Sequence, residues 1–299
     1  MELTFLGTSA MVPTKDRNHA SVYLEHEGVG ILFDCGEGTQ RQLRIAGISP
    51  AKIRIICITH WHGDHALGLV GLLQTMGASH NEHEVTLIGP AGTSERIASL
   101  MEIYPAALPY TLNVIDAEQG SHRFSGFRIA SQPLMHVIPN LGFAFVEDDS
   151  RVLEHERIKR EKIRDGPWLG RLQKGQDAEY DGRTLPLEDY TRLRKGRKVS
   201  YVTDTSYCKE AVELARNSDV LICESTFTSE HDEKSLAYDH MTAQQAAQLA
   251  VAAGVSRLVL THFSQRYTRV DAFLEEAQAV FPDTRAAYDF MKLSVKRSA

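Results

Sequence analysis

Apolar and polar positions alternate along the chain in two different rhythms. Residues 2–6, 21–25, 30–34 and 53–58 are short runs dense in Leu, Ile, Val and Phe, bounded by Gly, Asn or Ser-Pro, and they predict strands. Residues 85–88, 113–116 and 127–131 predict three more. Residues 39–45, 68–76 and 93–101 carry apolar residues at helical spacing, with Thr39 starting the first helix after the glycines at 36 and 38. A short helix is expected behind Ser49-Pro50. From residue 198 the alternation resumes, with strands at 199–203, 219–223, 257–260 and 286–290 and helices at 209–215, 242–253 and 270–281. Thr242, with Gln245 three residues on, reads as a capping box, and Gly254 ends that helix. Strands joined by crossover helices predict an α/β fold in two halves of similar plan. Polar residues follow several strands, at the sheet edge where such folds place their sites.

Between about residues 147 and 197 the rhythm breaks. Residues 157–174 hold seven Lys or Arg against two acids, and turn residues interrupt them: Gly166-Pro167-Trp168 and later Asp181-Gly182. The apolar periodicity is too weak to predict a core for this stretch. It reads as a basic arm inserted at 147–197 into a single domain spanning 1–299. A basic run with an exposed-looking Trp168, on a protein of net charge −6, points to contact with a phosphate backbone. The bland alternative is a charged surface insertion.

Composition adds bounds. A length of 299 residues and an apolar fraction of 42% suit a globular protein. No run approaches the roughly 20 apolar residues of a membrane span. The first residues lack the basic and apolar regions of a signal peptide, so a cytoplasmic location and no membrane partner are expected. Four cysteines, Cys35, Cys57, Cys208 and Cys223, lie far apart and mostly in strand-like runs, which predicts buried thiols rather than a disulfide frame.

The chemistry concentrates behind the 53–58 strand. His60, His62, Asp64 and His65 place three imidazoles and a carboxylate within six positions, the donor set of zinc and its first-row neighbours. Gly63 is expected to supply backbone freedom for the turn. Further donors stand at strand ends: His136, Asp204 and His262. A carboxylate such as Asp204 can serve two cations, one per oxygen, and two-cation sites activate water for in-line attack on phosphorus. Asp64 can orient or deprotonate that water. Glu224 and His240 are candidates for an acid pair that protonates the leaving oxygen. Taken singly, each of these residues is more often structural; their joint placement after strands marks them. The remaining histidines, at 19, 26, 80, 83, 122, 155 and 231, show no such placement, and His80 and His83 sit in a polar loop.

The His60–His65 stretch resembles the HxHxDH signature of the metallo-β-lactamase superfamily. The succession Gly7-Thr-Ser, Pro13 to Asn18, Phe33 to Gln40, Thr59 to His65, Asp204-Thr205, Glu224-Ser-Thr226, His240-Met-Thr242 and Thr261 to Tyr267 resembles its ribonuclease Z family over nearly the whole chain. The resemblance implies an αββα sandwich with an inserted flexible arm. It implies endonucleolytic removal of the 3′ trailer from precursor tRNA, leaving a 3′-hydroxyl on the tRNA. It implies two zinc ions per subunit, with Mn or Mg able to substitute: one held by His60, His62 and His136, one by Asp64, His65 and His262, and Asp204 bridging. Asp64 would be the general base, with Glu224 and His240 serving the leaving group. Lys15, Arg17 and Asn18 match a loop near the cleavage site, and the Gly166-Pro167 arm is similar to the family's tRNA-docking arm. A homodimer is implied as well. Trp61, Met241 and Ser225 depart from the residues usual at their places. Two competing readings are a superfamily hydrolase of a small ester, such as a cyclic nucleotide, and an RNA-binding protein whose metals only hold the fold.

Overall fold

A computed structural model describes residues 1–79 and 82–297. His80 lies outside the described residues. The first of two seven-stranded sheets runs, in spatial order, Lys292–Ser294, Glu2–Gly7, Ser21–His26, Val29–Phe33, Ile53–Cys57, Val85–Pro90 and Leu112–Ala117. The second runs Thr284–Ala286, Leu258–Thr261, Val220–Glu224, Lys198–Val202, Asn140–Glu147, Phe127–Leu134 and Gly120–Phe124.

Side-chain alternation explains the layering. On the Ile53–Cys57 strand, Ile55 and Cys57 face the inter-sheet core and Ile56 faces outward; a register shift at Arg54 turns Ile53 outward as well. The inner core joins Phe5, Phe33 and Ile55 of the first sheet to Phe143, Tyr201 and Ile222 of the second. The outer face of the first sheet is covered by helices Thr39–Ile45, Leu69–Ala78 and Thr93–Ile103 through Leu43, Leu72, Met76 and Ile97. The outer face of the second is covered by Lys209–Ala215, Ala243–Ala253 and Asp271–Val280 through Leu214, Ala246, Leu249 and Phe273. The result is an αββα sandwich. Strands buried on both faces carry continuous apolar runs, which is why they are readable from sequence.

Three local expectations need correction. Residues after His136 form a tight turn and then a full strand, Asn140–Glu147, paired antiparallel with Phe127–Leu134 and Lys198–Val202. Gly142, which looked like part of the turn, sits in that strand because a Cβ there would meet Leu214 Cδ2 at 2.5 Å. The strand expected at 286–290 is Thr284–Ala286; the chain then turns through Phe290 at φ 68° and returns to the first sheet as Lys292–Ser294. Gly63 opens the short helix Gly63–Ala66 and does not adopt positive φ, so its conformational freedom is not used.

Residues 150–194 form a folded appendage. Its base is the antiparallel pair Ser150–Leu153 and Thr191–Arg194. Beyond it lie helices His155–Arg160 and Pro167–Gln173 and the hairpin Ala178–Tyr180/Arg183–Leu185. Contrary to the sequence reading, this stretch has a small core of its own, with Ile158, Ile163, Leu172, Leu185 and Tyr190 buried together. Each short element contributes only one or two apolar residues, so no periodic window reveals them. Trp168 is not an exposed platform: its Nε1 donates to Arg164 O at 2.8 Å and its ring packs edge-on against Tyr180. A Cβ on Gly166 would fall 2.2 Å from that ring, which accounts for the glycine, and Pro167 takes the first helical position. Of the seven cations at 157–174, Arg157 pairs with Glu161 and Asp189 and lies over Tyr190. The other six make no ion pair among the described residues. Where the appendage joins the body, Arg197 donates to both oxygens of buried Glu147, at 2.8 and 3.0 Å. Burial opposes ionisation of Glu147, yet Arg197 holds its carboxyl at about 2.

Candidate metal centre

The C-terminal ends of several strands meet along one edge of the sandwich and deliver their next residues to a common point. Ile53–Cys57 leads to Thr59 and His60, Lys198–Val202 to Asp204, Val220–Glu224 to Glu224 itself, and Leu258–Thr261 to His262. The helix Gly63–Ala66 brings Asp64 and His65 back over them, and the turn after Phe127–Leu134 adds His136.

All seven expected ligands converge in two groups that share Asp204: His60, His62, His136 and Asp204, and Asp64, His65, Asp204 and His262. In the first, His60 Nε2 lies 3.0 Å from His62 Nδ1, His136 Nε2 3.3 Å from His62 Nδ1, and His60 Nε2 3.6 Å from Asp204 Oδ2. In the second, His65 Nε2 lies 3.2 Å from His262 Nε2 and 3.4 Å from Asp64 Oδ2, and Asp204 Oδ1 lies 3.1 Å from His262 Nε2. Ligands 2.0–2.1 Å from one tetrahedral cation stand about 3.4 Å apart, so these spacings suit an ion in each group.

For three of the five rings a partner on the outward nitrogen fixes which atom faces inward; His62 instead presents Nδ1, 3.0 Å from His60 Nε2. His65 Nδ1 meets buried Asp34 at 2.8 Å, His60 Nδ1 meets Thr59 Oγ1 at 3.0 Å, and His262 Nδ1 meets Thr226 Oγ1 at 3.0 Å. The Nε2 of each of these three therefore points into the cluster, where facing lone pairs repel unless a cation or protons lie between them. Burial and the neighbouring imidazoles push His60 well below its usual pKa, so it stays a neutral donor. At Asp64 burial favours the neutral acid, but His65 and His262 outweigh it and hold the carboxyl well below the usual range. The donor set, five imidazoles and two carboxylates, fits a pair of divalent cations.

Beside the metal cluster, buried Glu224 accepts from Thr205 N at 2.7 Å, Thr226 Oγ1 at 2.6 Å and His240 Nδ1 at 3.0 Å. These contacts satisfy it as a hydrogen-bond acceptor. Burial tends to lower the His240 pKa, but Glu224 raises it to about 9, so the ring carries a proton at neutral pH. Its Nδ1 is committed to Glu224, which leaves Nε2 to donate.

The loop at 11–18 is pinned rather than free. Arg17 donates to Tyr267 O at 2.9 Å and its guanidinium lies 5.2 Å from the centre of the Phe263 ring. Asn18 donates through its side chain to Glu37 O at 2.8 Å and through its backbone to Asp289 Oδ2 at 2.7 Å. Of the three expected contact residues only Lys15 is largely exposed, its Nζ 4.0 Å from Asp16. Trp61, Met241 and Ser225 point into packing: Trp61 Nε1 donates to Thr93 Oγ1, Met241 is fully buried, and Ser225 Oγ donates to Thr261 O.

Sequence reasoning assigned no role to Asp34, Thr59, Thr226, Tyr201 or Asp289. Asp34 receives Thr59 N, His65 Nδ1 and Tyr201 Oη, at 2.8, 2.8 and 2.9 Å, and so fixes one ligand and the backbone beside another. Its place as the last residue of a predicted strand was the available signal. Asp34, Asp204 and His262 all adopt left-handed φ, at 57°, 52° and 61°. Such strain in non-glycine residues collects at functional sites.

Asp289 also accepts from Thr8 Oγ1 at 2.9 Å and Gln42 Nε2 at 3.0 Å. Desolvation pushes its carboxyl up to about 6, against the pull of Asn18, Thr8 and Arg17. A carboxyl whose folded pKa exceeds its unfolded value of about 3.9 binds its proton more tightly in the folded state. Its contribution to stability is therefore greatest below pH ~4 and declines as the pH rises through about 6. Asp289→Asn keeps the shape without the charge. Between pH 4 and pH 7 it is expected to gain about 1–2 kcal/mol relative to wild type in urea unfolding. Parallel pH profiles for the two proteins would exclude an ionisation cost at Asp289.

Comparison with known proteins agrees with this architecture. A family model described as the metallo-beta-lactamase superfamily matches residues 14–136, and one described as a beta-lactamase superfamily domain matches 190–263. The basic run at 157–174 falls between the two. A ribonuclease Z from Methanothermobacter thermautotrophicus is 41% identical over 99% of this chain and 97% of its own length. One from Acaryochloris marina is 41% identical over 99% and 98%. The crystal structure of the short form of human tRNase Z superposes with a TM-score of 0.74 at 29% identity, covering 99% of this chain and 100% of that one. Identity of this depth over the full length, together with the αββα sandwich and its HxHxDH cluster, means that the chain belongs to the ribonuclease Z family of the metallo-β-lactamase superfamily.

Proposed function

We propose that this protein is a metal-dependent endoribonuclease that removes the 3′ trailer of precursor tRNA and leaves a 3′-hydroxyl on the tRNA. The observation that carries the reading is Asp204, whose two oxygens face two separate histidine groups, in a chain of this family. Five imidazoles favour zinc over the harder manganese and magnesium, which remain substitutes. When bound, the two cations supply Lewis acidity that lowers the pKa of water and neutralises charge building on phosphorus.

The chain's own residues do the rest. His60, His62 and His136 hold one cation, and Asp64, His65 and His262 the other. Asp64, kept ionised, orients the attacking water and takes its proton. The water oxygen bonds to phosphorus as the bond to the ribose 3′-oxygen breaks. His240, held in its donating form by Glu224, passes a proton to that leaving oxygen. Lys15 and the six unpaired cations at 157–174 contact phosphates away from the cut, and Gly166 and Pro167 serve them by shaping the helix that follows.

We extend the reading to a homodimer, in which one subunit's appendage presents RNA to the other's metal cluster; sedimentation equilibrium with tRNA bound checks it. No helix among the described residues is long and apolar enough to cross a membrane. All four cysteines are buried and unpaired, which supports a reducing, cytoplasmic setting.

Mapping the cut on one precursor tRNA with metal-analysed protein tests the function: one cut at the end of the acceptor stem with a 3′-hydroxyl supports it, and hydrolysis confined to small esters refutes it. His240→Ala tests the proton donor. Loss of the donor is expected to slow cleavage of RNA, a poor leaving group, by about 10²-fold or more, but an aryl phosphodiester by less than about tenfold. Equal losses on both would remove His240 from the role.

A further inference from the structure

Asp64 is held by more than histidines. Its Oδ2 accepts the backbone N–H of Met11 at 2.7 Å. That same oxygen lies 3.4 Å from His65 Nε2 and 3.5 Å from His262 Nε2. Its Oδ1 has no hydrogen-bond partner among the described residues. Met11 reaches this position at a cost, since its φ of 55° lies in the left-handed region that non-glycine residues rarely enter. The conformation is clamped from several sides. Met11 O lies 3.2 Å from buried His19 Nε2, Val12 N donates to Ala10 O at 2.6 Å, and Ser9 Oγ donates to Val12 O at 2.6 Å. The preceding residues, Ser9–Ala10, pair in parallel with Phe263–Ser264, directly after His262. The Met11 side chain takes no part in this clamp and is 80% exposed, on a residue whose backbone N–H meets the carboxylate.

We propose that Met11 is a positioning residue for the reaction. Its strained backbone commits Asp64 Oδ2 to the histidine side and leaves Oδ1 for the attacking water. Its thioether side chain offers an apolar contact to the nucleotide next to the scissile bond. The inference rests on the role given to Asp64 above, but its first test does not need RNA cleavage. In protein labelled with ¹⁵N-methionine, the Met11 amide should exchange at least about tenfold faster in Asp64→Ala than in wild type. Equal exchange rates would overturn the hydrogen bond, whether or not the protein cuts tRNA.

The second test separates backbone from side chain. Met11→Gly favours the left-handed conformation, whereas Met11→Val resists it. Val is expected to lower kcat on an aryl phosphodiester about tenfold or more. Gly is expected to change kcat by less than about twofold while raising KM for precursor tRNA about fivefold, a contact worth about 1 kcal/mol. If Val and Gly give the same kcat, the backbone role fails; if Gly leaves KM unmoved, the nucleotide contact fails. Should Val not fold, as thermal unfolding would show, amide exchange in the wild-type backbone still decides.

Discussion

Asp64→Ala is expected to lower single-turnover cleavage of every phosphodiester by at least about 10³-fold. The carboxylate has two tasks in the proposed chemistry. Oδ2 completes the group formed with His65, His262 and Asp204, and Oδ1 receives the proton of the water. Alanine removes both and leaves the Met11 N–H unpaired. The expected phosphate contacts are untouched, because Lys15 and the appendage cations lie on other elements, and the Met11 side chain is retained. Binding of precursor tRNA, read by gel shift, should therefore stay within about threefold of wild type, which confines the effect to the chemical step. A variant that cuts at the wild-type rate would remove Asp64 from the mechanism.

The second large effect concerns the appendage. Its base is a two-stranded ladder that ends where Leu153 pairs with Thr191 and Glu154 N donates to Tyr190 O. Replacing residues 154–190 by a two-residue Asn-Gly turn closes that ladder without exposing half of the small core. The shortened protein is expected to lose at least about 10²-fold in kcat/KM on precursor tRNA and to hydrolyse an aryl phosphodiester within about twofold of wild type. Each cation that meets a phosphate adds up to about 0.9 to the salt slope, so six contacts imply a slope shallower by up to about 5 in the variant. Equal losses on both substrates, or an unchanged salt slope, would deny the appendage its role in RNA binding.

What could be read from the sequence depended on how local the signal was. The buried strand Ile53–Cys57, the box of Thr242 and Gln245, and the stop at Gly254 each declare themselves within a few residues, and the structure contains all three. The His60–His65 cluster is equally local. His136, Asp204 and His262 were legible as donors because each follows a strand, although their convergence is a property of the sheets. The appendage core was hidden because Ile158, Leu172 and Leu185 come from separate short elements that meet only in three dimensions. Asn140–Glu147 was hidden because Gly142 imitates a turn, while its actual constraint is contact with Leu214. Asp289 joins the loop at 11–18 from 271 residues away, a distance at which pattern says nothing.

The central claim is that two cations share one carboxylate, and anomalous diffraction from a crystal of the zinc-loaded protein, collected above and below the zinc edge, tests it most directly. Two peaks are expected, one among His60, His62 and His136 and one among Asp64, His65 and His262, with an Asp204 oxygen bonded to each. A single peak, or two peaks without Asp204 between them, would contradict the account.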